Sequence, residues 1–105
     1  MRLIDVWIHC PDAATARAIA DEVIVRRLAA AAAVHPEIES RYHWRGEVRH
    51  AAEVPLCLRT LAEHFEAVAA TARVLHPYET PSIRAADVRA TSDYAAWVAA
   101  ETAAP

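Results

Sequence analysis

Hydrophobic and polar residues alternate near the start of the chain and then change to a helical spacing. Residues 2–9 (RLIDVWIH) alternate along their length and are rich in β-branched and aromatic side chains, which predicts a strand. Beyond Pro11 and Asp12, apolar residues recur every three or four positions, as on one face of an amphipathic helix. Asp12 can accept hydrogen bonds from the first free backbone N–H groups of that helix. The pattern therefore predicts a strand and then a helix that extends to about Ala30.

Two further alternating segments flank the single glycine of the chain. Residues 32–44 and 47–60 each place apolar side chains on one face, and the dipeptide RG that ends at Gly46 lies between them. Glycine adopts a positive φ easily, so this dipeptide favours a tight turn and a long antiparallel hairpin. Proline has no N–H to donate to a sheet, so Pro36 and Pro55 are each expected at a strand start, an edge or a bulge.

A second helix and a last strand follow the hairpin. Thr60 and Glu63 have the spacing of a capping box, which predicts a helix start, and an apolar stripe at helical spacing follows them. Pro77 disfavours the helical conformation at the residue before it, so the helix is expected to stop at His76. Residues 82–89 then read as a short strand.

A final helix completes the chain, with Ser92 as its expected N-terminal cap. The order β, α, β, β, α, β, α predicts an α+β fold: a ferredoxin-like βαββαβ sandwich with both main helices on one sheet face and an extra C-terminal helix. The other face needs a cover, and Trp7, Tyr42 and Trp44 on the strands suggest that a second copy of the chain provides it.

Length and charge restrict the function. A chain of 105 residues, 55% of them hydrophobic and 24% charged, is expected to form one folded domain over residues 1–105. A net charge of −3 with scattered arginines argues against a nucleic-acid partner. No apolar run approaches the ~20 residues of a membrane span, and no cleavable leader is recognised, so we expect no membrane partner and a cytoplasmic location.

The segment LHPYETP (75–81) holds the most unusual chemistry in the chain. An imidazole at a helix C-terminus interacts favourably with the helix dipole by ~0.3–1 kcal/mol, and this role for His76 needs no ligand. The alternative makes His76 part of a site for a metal or an acidic group, with Glu79 as a second polar contributor. The residues alone favour the structural role, and both interpretations stay open.

Glu53 and Arg59 flank an apolar strand six positions apart. They share one face only if no bulge intervenes, and Pro55 favours a bulge. A solvated charge is the default interpretation for each, and a cleft wall is the alternative.

The two cysteines are expected to be reduced thiols, because their spacing matches neither a disulfide framework nor a zinc knuckle. Cys57 is expected on the sheet face opposite its neighbours in the strand, as a small hydrophobe. Cys10, beside His9, is expected to be the more accessible thiol, and thiolate with imidazole suits copper. Adjacent side chains of a strand point to opposite sides, so His9 and Cys10 could bind one metal only if the chain turned there. The candidate metal ligands are His76 and Cys10. The remaining histidines are interpreted as surface residues: His35, His43, His50 and His64.

No catalytic motif is present, so an enzyme is not predicted. The alternative is acid–base chemistry by His76 and Glu79, which needs the two side chains within hydrogen-bond reach of each other.

Several segments in order along the chain resemble the CutA family of divalent-cation tolerance proteins. They are PDAATARAIADEVIVRRLAA (11–30), YHWRGEV (42–48), EVPLCLRT (53–60), HPYETPSI (76–83) and TSDYAAWV (91–98). The resemblance implies a ferredoxin-like protomer related to the PII signalling proteins, a homotrimer that pairs through the long hairpins, ligand clefts between subunits, and copper binding with a role in metal tolerance.

The resemblance also implies which residues form the cleft, and one departure from the family pattern affects metal binding. The expected ligand-binding residues are Trp44, Glu53, Arg59, His76, Tyr78 and Glu79. The family usually reads LAAC at the end of the first helix, and Ala31 stands here at the cysteine position. We therefore expect a homotrimeric tolerance protein that binds copper, another divalent cation or a small ligand; a trimeric scaffold or signalling protein without a metal role is the alternative.

Overall fold

The computed structural model describes residues 2–104, which form one antiparallel sheet and the helices that pack on it. In chain order the elements are β1 (Leu3–Cys10), α1 (Ala13–Val25), β2 (Ala31–Val34), β3 (Ile38–Trp44), β4 (Glu47–Leu61), a 3-10 turn (Ala62–His64), α2 (Phe65–Leu75), β5 (Ile83–Asp87) and α3 (Ser92–Glu101). Among these residues no helix is long and apolar enough to cross a membrane.

The sheet has the strand order β2-β4-β1-β5, and β3 pairs with the outer part of β4. Every pairing is antiparallel, with Val6 of β1 opposite Leu58 of β4 and Ala85 of β5. β1 and β2 thus have β4 between them, which is the split βαβ arrangement. The ferredoxin-like prediction is confirmed.

The main core lies between the sheet and helices α1 and α2. Val6, Ile8 and Leu58 project from the central strands and are fully buried, as are Ile19 of α1 and Val68 of α2. Helix α3 packs on the opposite sheet face, where a smaller cluster joins Leu3, Leu61 and Val98. Both main helices therefore cover one face, as predicted, while α3 covers only one end of the other.

Pro55 lies inside β4 without causing a bulge, contrary to expectation. The register between β1 and β4 is unbroken from Leu3 opposite Leu61 to Cys10 opposite Val54. The Pro55 carbonyl accepts from the His35 N–H at 2.8 Å, so the proline nitrogen faces the same side. The neighbouring chain leaves the ladder there, between the end of β2 and the start of β3. The missing N–H is thus placed where the ladder is already interrupted.

The predicted extension of α1 to Ala30 is wrong, because the helix ends at Val25. Arg27 has a φ of 56°, and the N–H groups of Arg27 and Leu28 bond to the carbonyls of Ile24 and Val23. This is a Schellman motif with arginine at the left-handed position that glycine usually fills. No glycine was present to signal it.

The predicted hairpin arm over 32–44 is also wrong as one strand. The structure divides it into β2 and β3 around residues 35–37, which contain Pro36. The turn itself is as predicted, and both Arg45 and Gly46 have positive φ, as a type I′ turn requires.

Neither predicted N-terminal cap after the hairpin is confirmed. Thr60 belongs to β4, and its Oγ1 donates to the Leu28 carbonyl at 2.7 Å instead of capping a helix. The capping residue of α3 is Thr91, one position before Ser92. The predicted end of α2 is confirmed, because His76 is extended (φ −86°, ψ 132°) immediately before Pro77.

Candidate functional site

A cavity of about 790 Å³ lies between the β3–β4 hairpin and the loop that follows α2. Residues 40–44, Arg49 and Glu53 form the hairpin side, residues 77–82 form the loop side, and His9 closes it from β1. We call this cavity the hairpin–loop pocket. Its volume falls in the usual range for small-molecule sites, roughly 300–1,000 Å³.

His76 lies outside the pocket lining and anchors the loop that forms one side of the pocket. The ring is buried, its Nε2 lies 2.7 Å from the His9 carbonyl oxygen, and its Nδ1 accepts from the Tyr78 backbone N–H at 3.2 Å. Because Nδ1 accepts and a carbonyl cannot donate, we assign the neutral tautomer with the proton on Nε2. Both ring nitrogens are therefore committed to backbone partners, and the structural role of His76 is the one the geometry supports.

An ion pair joins the tip of the hairpin to the loop. Arg45 donates from Nη2 to Glu79 Oε2 at 2.7 Å, and the Arg45 guanidinium lies 5.2 Å from the centre of the Trp44 ring. Both charged side chains are about two-thirds exposed, at 69% and 67%. An exposed pair of this kind contributes roughly 0.2–1 kcal/mol, so it orients the loop more than it stabilises the fold.

Glu53 is the buried charge of the pocket. Its side chain is 9% exposed, and Oε1 lies 3.4 Å from His9 Nδ1. Burial raises the pKa of the Tyr78 phenol, and the charge of Glu53 raises it further. Glu53, His9 and Tyr78 are thus close neighbours on the pocket wall.

The arginines around the pocket have carboxylate neighbours of their own. These pairs are Arg41 with Glu39 at 3.8 Å, Arg49 with Glu47 at 3.6 Å, and Arg45 with Glu79 at 2.7 Å.

Neither thiol is accessible, so the prediction for Cys10 is wrong. Cys10 is fully buried in the main core, and burial raises its pKa to about 11, with the charges of Asp12 and Glu53 adding to the effect. Cys57 lies on the opposite sheet face, as predicted, is also fully buried, and has a pKa raised by burial. Both sulfurs are therefore held as protonated thiols at neutral pH.

The predicted copper ligands do not fit a resident metal in this protomer. The His76 nitrogens are both hydrogen-bonded, and Cys10 would have to lose a proton that its surroundings retain. Within residues 2–104 no three His, Cys, Asp or Glu side chains are grouped so that they could hold a metal ion.

The structure brings together most, but not all, of the predicted ligand-binding residues. Trp44, Glu53, Tyr78 and Glu79 line the pocket, and His76 supports it from behind. Arg59 lies elsewhere, opposite Asp5 in the register of β1 and β4. The candidate acid–base pair does not form, because Glu79 bonds to Arg45 and His76 bonds to the backbone.

Three residues that line the pocket are not predicted from the sequence: His9, Arg41 and Arg49. His9 is adjacent to Cys10 in the sequence, yet its side chain lies against Glu53 on the neighbouring strand β4. The predicted surface position of His35 is wrong, because its ring packs against Trp7 with 5.0 Å between centroids. Its Nε2 is buried and has no hydrogen-bond partner among residues 2–104. Only strand register could have shown these contacts.

Comparison with known proteins gives a consistent result. A family model described as CutA1 divalent ion tolerance protein matches residues 4–101. The divalent-cation tolerance protein CutA of Escherichia coli (strain K12 / DH10B) is 35% identical over 94 residues, covering 89% of this chain and 84% of the relative. The crystal structure of CutA from Xylella fastidiosa matches with a TM-score of 0.92 at 29% identity, covering 96% of this chain and 98% of that one. CutA1 from Oryza sativa matches with a TM-score of 0.92 at 27% identity, covering 98% and 95%.

Proposed function

Because the chain belongs to the CutA1 family of divalent ion tolerance proteins, we propose that it acts in divalent-cation tolerance as a homotrimeric binding protein, not as an enzyme. Its ligand site is the hairpin–loop pocket. The observation that carries this proposal is the convergence of Trp44, Glu53, Tyr78 and Glu79, distant in sequence, on one cavity of ligand size. We place the protein in the cytoplasm and include neither nucleic acid nor membrane among its partners.

The unpaired parts of the sheet support the homotrimer. Within residues 2–104, β3 pairs only with β4, so the hairpin extends as a two-stranded ribbon, which is marginally stable by itself. Its surface exposes Ile38 and Val48, at 37% and 63%. Another copy of the chain, pairing with this ribbon, would bury these side chains and complete the backbone hydrogen bonds.

Sedimentation tests the trimer with a matched pair of variants. Val48→Lys places a charge on the hairpin, and Val74→Lys makes the same change on α2, where the valine is 84% exposed. We expect Val48→Lys to shift the trimer toward monomer and Val74→Lys to leave it intact. A monomeric wild-type protein, or a trimer unaffected by both changes, contradicts the proposal.

A divalent cation such as Cu(II) or Zn(II) is the second candidate ligand, and one donor pair favours it. His9 Nδ1 and Glu53 Oε1 are 3.4 Å apart on the pocket wall. That separation suits two ligands of one ion with metal–ligand distances of about 2.0–2.2 Å. This pair replaces His76 and Cys10 as the metal-binding hypothesis.

Calorimetric titration of the purified protein with Cu(II), Zn(II) and a panel of small organic ligands tests the site. Binding that is lost in Glu53→Gln and kept in Glu39→Gln supports the pocket. If no metal or organic ligand binds more tightly than millimolar, the trimeric scaffold becomes the better description. Retained metal binding in His9→Asn excludes the His9–Glu53 donor pair.

A further inference from the structure

The hairpin–loop pocket has one charge that no permanently charged side chain balances. Each arginine near the cavity has a carboxylate of its own within 4 Å. In residues 2–104, the basic side chain within that distance of Glu53 is His9, which balances the carboxylate only when its imidazole is protonated. Arg41 and Arg49 also line the cavity, but Glu53 is its buried charge, and within residues 2–104 no arginine lies within 4 Å of it.

Burial makes this unbalanced charge significant. The Glu53 side chain is 9% exposed, so solvent screens it poorly. An ionised carboxylate in such a place is costly unless a partner balances it, and the His9 contact at 3.4 Å is long for a strong hydrogen bond. A ligand that brings a positive group to Glu53 would remove this cost on binding.

The aromatic part of the wall favours the same sign of charge. Tyr42, Trp44 and Tyr78 line the cavity beside Glu53. The faces of such rings are electrostatically negative and attract cations. Trp44 already holds the Arg45 guanidinium 5.2 Å from its ring centre, which shows this preference within the molecule.

We infer that the hairpin–loop pocket takes an organic cation, a ligand that presents a protonated amine to Glu53 and a flat apolar group to the aromatic wall. This inference rests on the proposed function of the pocket as a ligand site. It narrows the ligand from any small molecule to the class of aromatic or aliphatic ammonium compounds. The cavity of about 790 Å³ has room for such a molecule.

Three probes of nearly equal size and different charge test the inference. Benzylamine, benzyl alcohol and benzoate are titrated into the purified full-length protein at neutral pH, with binding followed by calorimetry and by the NMR signals of the tryptophan indoles. We expect benzylamine to bind roughly tenfold or more tightly than benzyl alcohol, and benzoate to bind most weakly. Contacts between the benzylamine ring and the Trp44 indole are expected in NOE spectra.

Two variants assign the preference to one carboxylate. Glu53→Gln keeps the shape of the side chain and removes its charge, and we expect it to abolish the preference for benzylamine. Glu66→Gln removes an exposed carboxylate of α2 that does not line the cavity, and it should leave the preference unchanged. If Glu53→Gln does not fold, the order of the three probe affinities and the NOE contacts in the wild-type protein still test whether the pocket prefers a cation.

Different results contradict the cationic ligand alone or the ligand site as a whole. Benzoate binding more tightly than benzylamine, or a preference for benzylamine that survives Glu53→Gln, contradicts the cationic ligand but leaves the pocket as a ligand site. Binding of Zn(II) without any binding of benzylamine also contradicts it and favours the metal hypothesis. If no probe or metal binds, both the inference and the proposed ligand site are wrong.

Discussion

The imidazole of His76 donates from Nε2 to the carbonyl oxygen of His9 at 2.7 Å, and its Nδ1 accepts from the backbone N–H of Tyr78 at 3.2 Å. One side chain thus joins the end of β1 to the loop after α2. Since this bond holds two walls of the hairpin–loop pocket together, His76 shapes the site while both of its ring nitrogens have backbone partners.

Replacing His76 should therefore reduce stability directly. His76→Ala leaves the His9 carbonyl and the Tyr78 N–H without their partner, and an unsatisfied buried group costs about 1–3 kcal/mol. Chemical denaturation at one fixed protein concentration measures the loss. The control is Arg73→Ala, an exposed residue of α2, which should change the unfolding free energy by less than about 0.5 kcal/mol. Equal effects of the two variants would contradict the structural role.

Thr60 offers a test of two roles that the sequence could not separate. Thr60→Val keeps the shape but removes the hydroxyl that bonds to the Leu28 carbonyl, and we expect a loss of about 1–2 kcal/mol. Glu63 is exposed, and in the described part of the chain no side-chain bond caps the turn that contains it, so Glu63→Ala should be nearly neutral. In a capping box both changes would be costly, so comparable losses in the two thermal melts would favour the capping box.

Gly46 should be sensitive to substitution for backbone reasons alone. Its φ is 79°, and a Cβ added there would meet no atom within 4 Å. Gly46→Ala is thus expected to cost about 1–2 kcal/mol through the left-handed backbone. Gly46→Asn should cost less, because asparagine tolerates this region. Denaturant midpoints of the two variants provide the comparison, and a neutral Gly46→Ala would show that the turn adopts another type.

The raised pKa of Cys10 predicts that the free energy of unfolding decreases as the pH rises in the alkaline range. Its pKa is raised from 9.0 to about 11, so the folded state retains a proton that the unfolded chain loses first. Stability is full below about pH 9 and falls as pH rises toward 11, because the unfolded state then binds fewer protons. The chain contains no lysine, so few other groups titrate in this range.

Comparison of wild type with Cys10→Ala isolates this contribution. The variant should be less stable at pH 8, because it leaves a small cavity, yet lose less stability between pH 9 and 11. Unfolding free energies measured across that range give both values. Parallel curves for the two proteins would show that the thiol is not protected. Reaction of both cysteines with a thiol reagent should likewise be slow until the protein unfolds.

Local chemistry explains which predictions from the sequence were confirmed. Asp12 accepts from the Thr15 N–H at 2.7 Å and starts α1, and Pro77 ends α2 at the residue before it. Arg45 and Gly46 form the hairpin turn. Each of these features depends on residues within a few positions of one another, so the information is present in a short stretch of sequence.

The predictions that were wrong concern features that depend on residues far apart in the sequence. A Schellman motif ends α1 early, and Leu28, which completes it, also receives the Thr60 hydroxyl from β4. The sequence predicts an accessible Cys10, but its side chain is fully buried in the core cluster that the sheet shares with the helices. Residue propensities and sequence spacing do not encode such contacts, because these contacts form only when the strands pair in register.

The sequence by itself determined the order of elements, the ferredoxin-like architecture and the family, since these follow from periodicity, caps, turns and ordered motifs. Only the tertiary structure decided the chemistry of the site. It turned His76 toward the backbone, separated Arg59 from the pocket and set His9 against Glu53. The physical reason is that a side chain's charge and hydrogen-bond partners depend on burial and on neighbours from other strands, which the fold alone brings together.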